Sequence, residues 1–165
     1  MPHCRLLNKL QAYGIKGKIL QWVTDFLTNH RQRVSINGCM SQCLAVLSGI
    51  PQGSVLGPVL FILYINDLPE LVDNFTMLFA DDTKLYSTVN NKKDQEGLQR
   101  DLNKLIQWSN RWQLNFNASK CKILHYGRKN MQLEYMMNDG QSTLVVQAVE
   151  EEKTPWWSLY WVPKI

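Results

Sequence analysis

The sequence predicts an α+β fold built from antiparallel β-hairpins packed on helices. Two observations predict it. Some segments carry apolar residues at helical spacing, and others alternate apolar and polar residues around turn signals. The chain has 165 residues, 45% of them hydrophobic, which suffices for a domain with an apolar core and excludes wholesale disorder.

The helical segments come first. Leu6, Leu7, Leu10 and Tyr13 fit one face of a short helix that Gly14 stops. Gly17 opens a second, along which Leu20, Val23, Phe26 and Leu27 recur at helical spacing. Arg31 to Gly38 then reads as a strand, because Val34 and Ile36 alternate with polar neighbours and Asn37-Gly38 is a hairpin-turn pair. Cys43 to Leu47 is its candidate return strand. Ser48 to Ser54, SGIPQGS, holds two glycines and a proline and must be a loop. Val55 to Leu68 is apolar nearly all round, the pattern of a helix buried on every side, with Pro69 as its stop.

Phe75, Met77 and Phe79 alternate, as do Leu85, Ser87 and Val89, with Ala80-Asp81-Asp82-Thr83 between them. That is a β-hairpin with carboxylates at its tip. Asn91 is a candidate N-cap, with Asp94 three residues on. Leu98, Leu102, Leu105, Ser109 and Trp112 trace one helical face, on which Trp108 and Trp112 read as core residues. Cys121 to Tyr126 and Gln132 to Met136 read as a second β pair. The last segment, Thr154 to Ile165, packs three tryptophans and two prolines into twelve residues and has neither periodicity.

Composition narrows the function classes. The net charge of +4 suits a polyanionic partner but does not single one out. Arg31, Arg33, Arg100, Arg111, Arg128 and Lys129 are candidates for phosphate contact or for solubilising charge. The longest apolar run, Val55 to Ile65, is about half of the roughly 20 residues that a membrane span needs. Cys4, Cys39, Cys43 and Cys121 form no CxxC pair, and His3, His30 and His125 do not fall at zinc-ligand spacing. Free thiols in a reducing compartment are the expectation.

The acidic hairpin carries the chemistry. Adjacent carboxylates repel, and a divalent cation relieves the repulsion. Oxygen ligands suit Mg2+, which keeps part of its water shell and takes one or two carboxylates plus substrate phosphates. Nucleotidyl transfer uses that arrangement. An Asp-Asp pair also serves turn geometry alone.

The motifs are more specific than the dipeptide. Phe79-Ala80-Asp81-Asp82-Thr83-Lys84-Leu85-Tyr86 resembles the xADD box of reverse transcriptases, in the form found in non-LTR (LINE-type) retrotransposons. Upstream, Gly49-Ile50-Pro51-Gln52-Gly53-Ser54-Val55-Leu56-Gly57-Pro58 is similar to the family's PQGS motif, and Leu60 to Leu68 to the helix that follows it. Trp112-Gln113-Leu114-Asn115-Phe116-Asn117 with Lys120-Cys121-Lys122 resembles the next block. Ile123, Leu124 and Tyr126-Gly127 resemble the primer grip. The blocks stand in the family's order, from about Pro2 to Glu152.

The resemblance implies an RNA-directed DNA polymerase that adds dNTPs to a primer 3′-OH, with an RNA template, a DNA primer and Mg2+ (Mn2+ as the alternative). It implies a partial palm and the start of a thumb over residues 1–153, without fingers, followed by a divergent tail at 154–165. It places Asp81 and Asp82 as metal ligands, and Pro51, Gln52, Gly53, Ser54, Phe79 and Ala80 against the nucleotide and template. Ser54 also fits a helix N-cap. Lys120 falls where the family has a lysine able to protonate the leaving pyrophosphate; it also fits a solvated lysine. Lys122 would share its face in a strand. A third carboxylate is expected from a block preceding Pro2; Asp25 and Asp67 sit in the wrong places to replace it. Little or no activity is therefore expected of these 165 residues alone, and a non-catalytic remnant that binds nucleic acid is the alternative. A reading-frame shift is the expected origin of the tail. The setting implied is intracellular, nucleus or cytoplasm, with no membrane.

Overall fold

The structure is a computed structural model, and it describes residues 1–51, 53–126, 131–138 and 143–149. Gln52, Gly127, Arg128, Lys129 and the tail at 154–165, all singled out above, lie outside the described residues. The mixed α+β class is borne out. The chain divides into two compact units, Met1–Asn66 and Asp67–Ile165.

The first unit is mainly helical. α1 (His3–Ala12) packs on α2 (Gly17–Thr28) and on α3 (Leu56–Ile65). Leu6 and Leu10 of α1, Val23 and Leu27 of α2, and Leu60, Tyr64 and Ile65 of α3 are all buried. Lys9 is buried too, and its ammonium donates to the Tyr64 carbonyl while lying 5.0 Å from that ring's centre. Between α2 and α3 a hairpin is built from four two-residue strands. β1 (Arg31–Gln32) pairs antiparallel with β4 (Leu44–Ala45), and β2 (Ser35–Ile36) with β3 (Cys39–Met40). Asn37 and Gly38 close it with φ of 49° and 82°, the two positive values that a type I′ turn demands.

α3 departs from expectation. Val59 and Ile62 are 50% and 55% exposed, so the helix is not buried on every side. Within this unit α1 covers one of its faces, and an apolar sequence does not by itself bury the rest.

The second unit holds the acidic hairpin and a long helix. β5 (Phe75–Phe79) pairs with β6 (Asp82–Tyr86) in register from Phe75↔Tyr86 to Phe79↔Asp82. α4 (Lys92–Trp112) starts as predicted, with the Asn91 side chain accepting from the Asp94 N–H at 3.0 Å. Asp94 reciprocates by accepting from the Asn90 N–H at 2.9 Å. Leu102, Leu105, Ile106, Trp108 and Ser109 are the buried face of α4, and the Trp108 indole donates to Asp67 at 3.1 Å.

The second β pair is corrected. β7 (Lys122–Leu124) pairs in parallel with β10 (Gln147–Val149), and β8 (Met136–Asn138) pairs antiparallel with β9 (Thr143–Val145). Local alternation marks a strand, not its partner, and a parallel partner needs a crossover. On its other side β8 meets α4. The Gln99 amide donates to the Met136 carbonyl at 2.7 Å and accepts from the Met136 N–H at 2.8 Å, and Gln95 donates to the Glu134 carbonyl at 2.9 Å.

Candidate active-site hairpin

β5 and β6 are strands because their Phe, Thr and Tyr residues favour a pleated, half-buried surface. The two are joined by only Ala80 and Asp81. Ala80 sits in the left-handed region, at φ 51°. A residue with a Cβ is strained there by about 1 kcal/mol, and the hairpin holds it in place.

The tip divides the two carboxylates. Asp81 is exposed and Asp82 half-buried. Among the described residues, the buried Asp82 Oδ1 has no hydrogen-bond partner, and the adjacent Thr83 hydroxyl, on a fully buried residue, also has none. A buried carboxylate oxygen without a donor is costly, and a hard cation satisfies it. The donor set therefore fits a divalent metal held through Asp81 and Asp82. It is a partial set: among the described residues no group of three or more His, Cys, Asp or Glu could hold a metal ion.

The base of the hairpin is anchored by a residue that motif reading passed over. Asp101 of α4 is fully buried. Its Oδ2 accepts from the Asp73 N–H at 3.0 Å, the Asn74 N–H at 2.8 Å and the Asn74 side-chain amide at 2.7 Å. Lys104 stands 3.2 Å from its Oδ1 and 2.7 Å from Asp73. Burial works against the Asp101 charge, but these donors outweigh it and hold its carboxyl below the usual range. Phe75 opens β5 one residue after Asn74, so α4 sets where the hairpin begins. The signal was present: an aspartate three residues after Leu98, on the apolar stripe of a helix.

Phe79, Ala80, Asp81 and Asp82 are thus brought together at one tip. Lys120 is not joined to them by any hydrogen bond or ion pair among the described residues. It ends a 3-10 turn (Ala118–Lys120) rather than lying in a strand, and its side chain is exposed. The shared strand face expected for Lys120 and Lys122 is therefore absent, since β7 begins at Lys122.

In the first unit, Pro51, Gly53 and Ser54 lead into α3. Gly53 has φ 78°. The Ser54 hydroxyl donates to the Pro51 carbonyl at 2.8 Å and accepts from the Gly57 N–H at 3.0 Å. It caps α3, as one of the two sequence readings had it. A Cβ added at Gly57 would lie 2.9 Å from that hydroxyl and 3.2 Å from the Ile50 side chain.

The family model for Reverse transcriptase (RNA-dependent DNA polymerase) matches residues 1–154. The chain belongs to the reverse transcriptase family. Its relatives include the RNA-directed DNA polymerase from mobile element jockey of Drosophila melanogaster, 32% identical over 116 residues, which is 65% of this chain and 13% of the relative. The jockey polymerase of Drosophila funebris is 29% identical over 131 residues, 72% of this chain and 14% of the relative. The probable RNA-directed DNA polymerase from transposon BS of Drosophila melanogaster is 35% identical over 105 residues, covering 58% and 12%. This reverse transcriptase segment thus spans about a seventh of the length of the jockey relatives. No solved structure matches it. The match takes in every motif block quoted above and stops where the tail begins. Among the described residues no helix is long and apolar enough to cross a membrane.

Proposed function

We propose that this segment supplies part of the palm and the start of the thumb of an RNA-directed DNA polymerase of a retrotransposon, acting in the nucleus or cytoplasm. The observation that carries the reading is the β5–β6 tip, where a two-residue turn sets Asp81 in solvent beside a buried, unpartnered oxygen of Asp82. Mg2+ or Mn2+ bound there would supply activation of the primer 3′-OH and stabilisation of the leaving pyrophosphate. Asp81 and Asp82 hold that cation, with Asp81 the more accessible ligand. Phe79 and Ala80 flank the primer end and the incoming dNTP. The loop of Pro51, Gln52, Gly53 and Ser54 faces nucleotide and RNA template, and the Gly53 backbone permits close approach. Lys120 gives a proton to the leaving pyrophosphate once a substrate draws it in.

The 165 residues by themselves hold two of the three carboxylates that this chemistry uses, so the chain taken alone has little or no polymerase activity. The test pairs two measurements. Mn2+ titration followed by electron paramagnetic resonance should show weak binding that Asp81→Asn and Asp82→Asn each abolish. RNA-templated primer extension by the chain should give no product above background. Binding that survives both substitutions overturns the ligand assignment, and metal-dependent extension overturns the inactivity.

A further inference from the structure

Charge is divided unevenly along this chain. Of its 18 Lys and Arg and 14 Asp and Glu, the unit Met1–Asn66 holds six basic residues (Arg5, Lys9, Lys16, Lys18, Arg31, Arg33) and one acidic residue, Asp25. A unit this basic attracts polyanions. It also displays aromatic surface. α2 buries Val23 and Leu27, yet leaves Trp22 59% and Ile19 64% exposed. Lys18, Trp22 and Phe26 follow one another at intervals of four, which puts them on one stripe of α2, and His30 lies two residues past the helix end. The rings confirm the stripe. Trp22 and Phe26 stack at 6.3 Å with 28° between planes, and His30 meets Phe26 edge-on at 5.4 Å. The chain then runs directly into Arg31 and Arg33, both exposed.

We infer that this ridge, from Lys18 through Trp22, Phe26 and His30 to Arg33, is a binding surface for single-stranded nucleic acid, built from residues other than those of the acidic hairpin. The exposed Trp22 ring, backed by the half-buried Phe26 and His30, accepts the face of an unpaired base whatever its sequence, and flanking cations track the phosphates. A duplex hides those faces within its own stack. Asp25, exposed on the same helix, is the one charge that opposes the contact. A protein partner would find the same apolar rings, but the excess of basic over acidic residues favours the polyanion. The inference concerns binding alone and does not rest on catalysis.

The test measures fluorescence anisotropy of a short labelled uridine-rich RNA, single-stranded or annealed to its complement, titrated with the full chain. Trp22→Ala should weaken the single strand about tenfold and leave the duplex unchanged. Trp22→Phe should restore most of the binding. Lys18→Gln should make log K against log salt shallower by about 0.7, the value for one phosphate contact on a single strand. Equal binding of the single strand by wild type and Trp22→Ala overturns the inference, as does an equal loss on single strand and duplex. Unchanged RNA binding with an altered oligomeric state by light scattering also overturns it, and assigns the ridge to a protein partner. Should Trp22→Ala fail to fold, Trp22→Phe and the Lys18→Gln salt slope decide, and an unchanged slope overturns the inference.

Discussion

Replacing Asp101 separates the contribution of its shape from that of its charge. All three N–H donors converge on Oδ2, while Lys104 stands at Oδ1. Asp101→Asn can keep its amide oxygen at the Oδ2 position, so the three bonds survive as neutral ones, each roughly half as strong. The new NH2 then faces an ammonium. A loss of about 1–2 kcal/mol is expected. Asp101→Ala removes the acceptor outright from a fully buried position. Each charge-assisted bond is worth about 1.5–3 kcal/mol, but Asp73 is exposed and Asn74 half-buried, so their donors regain water in part. The expected loss is about 3–5 kcal/mol, the range for removing one partner of a buried charge. Urea unfolding and amide exchange at Asp73 and Asn74 measure both variants. Because the folded Asp101 carboxyl titrates below its ordinary value, its contribution is complete above the unfolded carboxylate range. It is lost as pH falls through the lower, folded value. The gap between wild type and Asp101→Asn should close in strong acid. A gap that widens there, or an Asp101→Ala loss under about 1 kcal/mol, refutes the anchoring role.

Three further outcomes follow from local geometry. Ala80→Gly should stabilise the hairpin by about 1 kcal/mol, because glycine accepts the left-handed φ of 51° without strain; a lower urea midpoint would contradict this. Gly57→Ala should break the Ser54 cap, since its Cβ would meet the hydroxyl at 2.9 Å; a loss of about 1–2 kcal/mol in thermal unfolding is expected, and Ser54→Ala should add little on top of it. Burial pushes the Cys121 thiol up to about 12, so a thiolate-selective reagent at mildly alkaline pH should label the exposed Cys4, Cys39 and Cys43 and spare Cys121 until the chain is unfolded.

Features set by neighbours in the chain were legible in advance. Asn37-Gly38 and the Asn91 cap each depend on a few adjacent residues whose backbone preferences agree, while the acidic tip was placed correctly but two residues too wide, since Asp82 and Thr83 belong to β6, which ends at Tyr86 rather than reaching Val89. The motif blocks were legible for the same reason, since each is a contiguous run. What stayed hidden depends on distant chain. The partner of β7 lies beyond β8 and β9, and nothing in Lys122-Ile123-Leu124 specifies Gln147-Ala148-Val149. The exposure of Val59 and Ile62 depends on which elements meet α3. Asp101 reads as an ordinary helix aspartate until the fold brings Asp73 and Asn74 to it. A strand face shared by Lys120 and Lys122 needed a strand beginning before Cys121, and alternation cannot tell a strand from the 3-10 turn that precedes one.

The amide of Gln99 has a consequence for how this chain behaves among its own copies. Facing Met136 with both a donor and an acceptor, it imitates a single residue of a third strand, and Gln95 extends the imitation to Glu134. A hairpin edge left bare is a template on which another molecule can add a strand. Here a helix side chain already fills those bonding positions. A strand added along the β8 edge must first dislodge two glutamines, which gives that edge a built-in barrier to aggregation.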